Sequence, residues 1–189
     1  MVTTTPTSPP TLTDGTLRLR PWRRDEAGLL VELLHASSDS IGRWMNWYTP
    51  GYAVADALDW MAAVEQGWQD GEGECALAIE AGGEGLPLGC VGINQFRFEH
   101  RTANVGYWIG QPHQGRGLAA QAVRLLAPYA FARFGLRRLE IVAAEGNGAS
   151  RRVAEKTGAH FEGIARQRLV VHGASVDAAM YALVAGDAG

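Results

Sequence analysis

VGYWIGQPHQGRGLAAQAV, residues 105–123, is the stretch on which the reading of this chain turns. An alternating apolar segment ends near Ile109, a loop crosses Gly110 to Gln114, and Gly115-Arg116-Gly117 opens an apolar helix. A helix start of this kind leaves several backbone N–H groups unpaired, with the positive end of the helix dipole behind them. Glycines let phosphate oxygens come close to that backbone, which makes the loop a candidate pyrophosphate site. An ordinary strand-to-helix turn punctuated by glycine accounts for the same residues equally well. GRGLAA (115–120) also satisfies the dinucleotide pattern G-x-G-x-x-[GA]. Against that reading, the pattern belongs in the first strand–helix turn of a repeated βαβ series, whereas here it comes late. The ribose-binding acid expected about 20 residues beyond the first glycine is absent: Gly135 stands there, and Glu145 follows too late. A Walker loop is excluded, because no Gly-Lys-Ser/Thr occurs.

Outward from this loop, the spacing predicts a helix from about Gly117 to Phe134, kinked where Pro128 removes a donor. A short apolar strand follows over 138–144, then a helix from Asn147 to Thr157 closed by Gly158 at its C′ position. Two final strands, about 160–170 and 174–184, join near His172-Gly173. On the other side, residues 74–80, 87–98 and 103–109 are strand-like with short connections, as in an antiparallel meander. ADALDWMAAVEQGW is helical to about Trp68, where DGEG breaks it. A shorter helix falls within SSDSIGRWMNWYTP, and Asp25 onward carries a helical stripe at Leu29, Leu30, Leu33 and Leu34. GTLRLRPW supplies a first strand from Thr16 to Arg20. Residues 1–14, rich in Thr and Pro, read as a disordered leader, and 15–186 as a single domain. The order of elements fits an α/β, mixed-sheet fold.

Composition narrows the function. The chain has 189 residues, enough for one well-packed core. It is 47% hydrophobic and 20% charged, as soluble globular proteins are. A net charge of −3 argues against nucleic acid as the main partner. No run of apolar residues is long enough for a transmembrane helix, and no signal peptide precedes the domain, so a cytoplasmic location is expected. The two cysteines, Cys75 and Cys90, lie on segments able to pair as a hairpin; reduced thiols in a cytosolic enzyme are favoured over a bridge. The five histidines are scattered and lack the spacing of a zinc site, so no metal is expected.

Taken together, the motifs resemble the GNAT superfamily of N-acetyltransferases, and within it the Rim-type branch (RimJ/RimL-like) that acetylates ribosomal-protein N-termini. The superfamily phosphate loop [QR]-x-x-G-x-[GA] is met by Gln114 to Ala119. GYWI before it, N-x-x-S (Asn147 to Ser150), the early WMNW and the late V-D-x-x-x-Y around Asp177 and Tyr181 match the branch. The likeness runs from Thr16 to Val184 and is most specific from Val105 to Gly163. It implies a mostly antiparallel twisted sheet of about seven strands flanked by helices and splayed at the cofactor site. Acetyl-CoA, or another acyl-CoA, would be the donor, with an amine on a protein N-terminus or a small molecule as acceptor; a homodimer is left open.

Residue by residue, the resemblance assigns the pantetheine arm to backbone groups of Tyr107 to Gln111 and of Ile141 to Ala143, Val142 among them. A backbone N–H near Trp108 or Ile109 would hold the developing oxyanion. Gln114, Gly115, Arg116, Gly117, Leu118 and Ala119 would hold the pyrophosphate. Asn147 would contact the pantetheine region, though Asn before a helix is also a favoured N-cap. Ser150 would protonate the departing thiolate. The tyrosine that many relatives use for this lies further along the helix, where this chain has Ala154. Asp39, Trp44 and Trp47, with Tyr48, fall where the family roofs the acceptor site; core packing is an equal reading for the aromatics.

The base departs from the family pattern. Leu169 and Asn104 occupy the two positions where relatives carry a glutamate, leaving Asp39 and Glu99 as acidic candidates or a water chain. Two other functions stay open: a catalytically silent acyl-CoA sensor, motivated by the missing carboxylates, and a dinucleotide-dependent oxidoreductase.

Overall fold

The computed structural model describes residues 8–81 and 85–186. Eight strands form one mixed sheet: β1 (Leu12–Thr13), β2 (Leu17–Arg20), β3 (Cys75–Ala81), β4 (Gly89–Arg97), β5 (Thr102–Ile109), β6 (Arg138–Ala144), β7 (His160–Val171) and β8 (Ala174–Val184). Their order is β1-β2-β3-β4-β5-β6-β8-β7. Every neighbouring pair is antiparallel except β5–β6, which is parallel. The helices are α1 (Ala27–His35), α2 (Ser38–Ile41), α3 (Val54–Asp70), α4 (Leu118–Phe134) and α5 (Gly148–Lys156).

The elements follow from local chemistry. The middle strands alternate, so Val91, Ile93, Ala103, Val105 and Ile109 enter the main core with Ala122, Val123 and Leu126 of α4. α3 ends at Gly71, whose φ of 72° is the left-handed conformation that glycine adopts without strain. α4 continues through Pro128 rather than breaking there. Pro128 is exposed, so the carbonyl of Arg124 that loses its partner lies on the solvent side of the helix. In the stretch read as a short helix after His35, one turn forms over Ser38–Ile41, and Trp44 and Trp47 follow it in turns.

The strand count exceeds the expected seven by β1, which lies inside the stretch read as a disordered leader. Residues 1–7 are outside the described residues, but Leu12 and Thr13 pair with Leu19 and Arg18. The cause is a hydrogen-bonded turn. Asp14 Oδ1 accepts from the N–H groups of Thr16 and Leu17, and Thr13 Oγ1 donates to the Leu17 carbonyl. A second contact from Gln121 to Asp14 ties this turn to α4.

A buried ion cluster anchors α1 to the sheet. Arg20, 5% exposed, donates to both oxygens of Glu26 at 2.8 and 2.6 Å and to Glu80 at 2.8 Å. Arg23 adds a 2.7 Å contact to Glu26. Burial opposes ionisation of Glu26, but the Arg20 hydrogen bonds and the charges of Arg20 and Arg23 outweigh it and hold this carboxyl below its ordinary range. Cys75 and Cys90 are free thiols; their strand partners are Ile93 and Ala78, so they do not face each other.

Candidate active site

The sheet opens between β5 and β6. Their pairing covers Thr102–Asn104 against Arg138–Glu140 and then stops. β5 stays paired with β4 as far as Ile109, and β6 with β8 as far as Ala144. A wedge therefore separates residues 105–109 from 141–144. The ladder geometry says which backbone groups face it. Gly110 N–H donates to the Leu88 carbonyl, so even-numbered residues of β5 bond to β4 and Val105, Tyr107 and Ile109 face the wedge. Glu145 N–H donates to Asp177, which by the same alternation turns Val142 toward the wedge from the other side. Between the two expected oxyanion donors, the N–H of Ile109 thus faces the opening, while Trp108 directs its backbone to β4. Such unpaired backbone needs a partner, and an extended amide chain lying between the strands supplies one.

At the wide end of the wedge, a 3₁₀ turn over Gln111–His113 leads to Gly115 and Gly117, with φ of 78° and 80°. Gly117 caps α4 with no side-chain hydrogen bond, and the first intrahelical bond runs from Gln121 N–H to Gly117. The N–H groups of Leu118 and Ala119 point out of the helix start, while both side chains are buried and fix it in place. Arg116 is exposed beside them. The side chain of Gln114 is occupied elsewhere: its amide donates to the Ile109 carbonyl at 2.9 Å and to Ser40 Oγ at 3.1 Å. Gln111 N–H donates to Ser37 Oγ at 2.8 Å. These bonds tie the loop to α2. Gln114 therefore braces the loop, and its neighbours' backbone is what remains for an anion.

At the narrow end stands Ser150, in the first turn of α5. Asn147 is the N-cap: its Oδ1 accepts from the Ser150 N–H at 3.1 Å. Tyr107 reaches across from β5, donating to the Ser150 carbonyl at 2.9 Å with its oxygen 3.2 Å from Ser150 Oγ. Burial, the largest influence, pushes the Tyr107 hydroxyl up to about 12 against the opposing hydrogen bond from Ser150. It is a proton donor at neutral pH. GYWI marked this tyrosine through its backbone, and nothing in its spacing tells that its hydroxyl meets Ser150, 43 residues on.

A cavity of about 410 Å³ joins Ser150 and the wedge to the space beneath α1 and α3. Trp108, Val142 and Ser150 line it, as do Trp47, Tyr52, Trp60, Asp56 and Glu74. Three expected site residues are placed differently. Asp39 is exposed on α2 and Trp44 packs under Arg43, its ring 5.0 Å from the guanidinium; neither lines the cavity. Glu99 is exposed in the β4–β5 turn beside His100. Cys90 also lines the cavity; burial raises its thiol well above the ordinary range, so it is not a thiolate nucleophile. Asn104 donates to Asn94 Oδ1 at 2.9 Å on the cavity floor, and Leu169 lies on β7 next to a register shift. Glu74, singled out by no motif, is the carboxylate that faces the chamber together with Asp56. Among the described residues no cluster of metal-binding side chains occurs, and no helix is long and apolar enough to cross a membrane.

The chain is similar to known proteins both in sequence and in fold. A family model described as an acetyltransferase (GNAT) domain matches residues 16–160. YdaF of Bacillus subtilis, provisionally named a ribosomal N-acetyltransferase, is 32% identical over 161 residues, 84% of this chain and 86% of that one. A Vibrio cholerae protein provisionally named a ribosomal-protein-serine acetyltransferase has a solved structure that superposes with a TM-score of 0.80 at 28% identity, covering 96% and 99% of the two chains. Mycobacterium smegmatis RimJ, solved in complex with CoA-disulfide, gives 0.82 at 25% identity, covering 95% and 88%. On the span of the family match and the full-length relative alike, the chain belongs to the GNAT acetyltransferase family.

Proposed function

We propose that this acetyltransferase moves the acetyl group of acetyl-CoA directly to the α-amino group of a protein N-terminus, with both substrates bound at once. The observation that carries the reading is the continuity of one space: the β5–β6 wedge, at Val105, Tyr107 and Val142, opens into the carboxylate-lined chamber and onto Ser150. Acetyl-CoA supplies the activated acyl group. The gap-facing backbone of Tyr107, Ile109 and Val142 suits its amide-bearing arm, and the helix start at Gly117 to Ala119 suits its pyrophosphate. The residues fit the group without any further donor.

In this scheme the Ile109 N–H stabilises negative charge growing on the thioester oxygen, a contact worth a few kcal/mol in a water-poor site. The amine nitrogen forms the new bond to the acyl carbon as the carbon–sulfur bond breaks. Ser150 Oγ gives its proton to the departing sulfur and is resupplied from the amine side. Tyr107 and the Asn147 cap hold Ser150 in place from two directions. The relatives named for ribosomal-protein acetylation favour a protein N-terminus over a small amine.

Thermal unfolding with acetyl-CoA, CoA, NADH, FAD and ATP tests the donor. A ligand at 100 times its Kd stabilises by about 2.7 kcal/mol, and CoA species alone should do so. A shift with NADH or FAD alone would revive the dinucleotide reading. CoA release above the enzyme-free rate with a peptide carrying N-terminal serine tests the transfer. Binding without any release over a panel of N-terminal residues would identify a silent sensor instead.

A further inference from the structure

The reaction must remove two protons from an acceptor ammonium, and the family's customary carboxylate positions hold Leu169 and Asn104. The chamber offers another group. Glu74, immediately before β3, is half-buried and lines the cavity shared with Ser150. The Trp60 side chain of α3 lies beside its carboxylate and favours the ionised form. α3 also fixes its backbone: a Cβ on Gly67 would stand 2.3 Å from the Glu74 carbonyl oxygen, so glycine there allows this close approach. Trp60 and Gly67 lie seven residues apart, on the same face of α3, and grip Glu74 from one side.

The surroundings select for a cation. Both charged groups lining the chamber are carboxylates, and no Arg, Lys or His is among the described lining residues. Asp56 is partly engaged, accepting from the Ala53 N–H at 2.8 Å. Trp47, Tyr52, Trp60 and Trp108 supply aromatic walls, the surface that attracts an ammonium ion. We propose that Glu74 is the proton acceptor for the incoming amine, and that the chamber admits a primary ammonium with no carboxylate beside it: a peptide N-terminus or simple amine rather than a free amino acid. This rests on the acetyltransferase reading of the site.

The protons balance. The ammonium gives one proton to the Glu74 carboxylate, and the free amine forms the carbon–nitrogen bond. As the carbon–sulfur bond breaks, the second surplus proton on nitrogen passes through Ser150 to the sulfur, giving free CoA thiol. Glu74 then releases its proton to solvent.

Burial raises the carboxyl of Glu74 above its ordinary value, only partly opposed by Trp60. The other titratable groups near it are Tyr52 just ahead of α3, Asp56 in the first turn of α3, Cys75 beside it and Cys90 on β4; Arg133 of α4 acts on Cys75. A carboxylate desolvated without a cationic partner costs folding stability, and such costs concentrate at functional sites. The sign is definite: the raised group destabilises the fold while ionised, and this cost disappears as pH falls through its folded value.

The test compares wild type with Glu74→Gln. With acetyl-CoA and an N-terminal-serine peptide amide, kcat/KM at pH 7 should fall about 10²- to 10³-fold, as for loss of a general base. The KM for acetyl-CoA should stay within about twofold, and the acid limb of the wild-type profile should vanish. Free serine should be a poorer acceptor than the peptide for wild type, with a smaller gap in the variant. Independently of turnover, 2-phenylethylamine should raise the Tm of wild type but not of Glu74→Gln, and the variant without ligand should melt higher at pH 7. Unchanged kcat/KM with the same acid limb, or equal stabilisation of both proteins or neither by the amine, overturns the proposal. Failure of acetyl-CoA to stabilise either protein would instead strike the acetyltransferase reading itself.

Discussion

The hydroxyl of Tyr107 sits against both the carbonyl and the Oγ of Ser150, and it stays protonated across the physiological range because burial raises it. Two substitutions separate its contribution from that of the serine. Ser150→Ala should lower kcat about 10²-fold or more, as removal of a general acid does, with little change in the KM for acetyl-CoA. Tyr107→Phe should lower kcat less and cost about 0.5–1.5 kcal/mol of stability for the lost hydrogen bond. Because Tyr107 acts through Ser150, the double variant should be no slower than Ser150→Ala alone. Additive losses in steady-state kinetics would give Tyr107 a separate part. Asn147 belongs to the same cluster as a cap, and Asn147→Ala should cost about 1 kcal/mol in chemical denaturation.

Among the elements, the start of α4 carries the clearest consequence. A Cβ on Gly117 would meet nothing within 4 Å, so Gly117→Ala is sterically free yet strained at φ 80°. The left-handed conformation costs a non-glycine residue about 1–2 kcal/mol. The expected outcome is a lower Tm together with a higher KM for acetyl-CoA, since relaxing the strain turns the Leu118 and Ala119 N–H groups away from their common focus. A KM unchanged within twofold in a folded variant would remove the loop from donor binding. The wedge between β5 and β6 has no equivalent single residue; it arises because β4 and β8 each hold their neighbour along its full length while the two middle strands part after Asn104 and Glu140.

For the molecule as a whole, the Arg20–Glu26–Glu80 cluster joins the start of α1 to the sheet. Arg20→Met leaves two carboxylates buried without their partner and should cost about 3–5 kcal/mol. Replacing all three residues by apolar ones of similar size should recover much of that loss. The pH dependence follows from Glu26. Its folded value is depressed, so its contribution is complete above the ordinary glutamate value of 4.5 and is lost as pH falls through the lower folded value. Thermal melts of wild type and the triple variant between pH 7 and pH 3 should diverge only at the acid end; parallel curves would contradict the depressed value.

Much of this architecture is legible in the residues themselves. Alternation, glycine caps and apolar stripes are local, so β6 falls on the expected 138–144 and α4 and α5 begin and end within a residue or so of their glycine and asparagine signals. The geometry of the loop before α4 is legible for the same reason, because positive φ at Gly115 and Gly117 and an uncapped helix start are written in adjacent positions. β1 was not, since its strand character comes from a turn at Asp14 and from β2 rather than from its own composition. Nor was the chemistry at the centre. Tyr107 meets Ser150 across 43 residues, Gln114 turns its side chain away from the loop it belongs to, and Glu74 reads as one more acid in DGEGE until α3 covers it. Local sequence determines backbone form through steric preference and hydrogen bonding between near neighbours. Which side chains lose their water, and which groups they then face, depends on contacts between segments far apart in the chain, and these exist only once the sheet and its helices have closed around them.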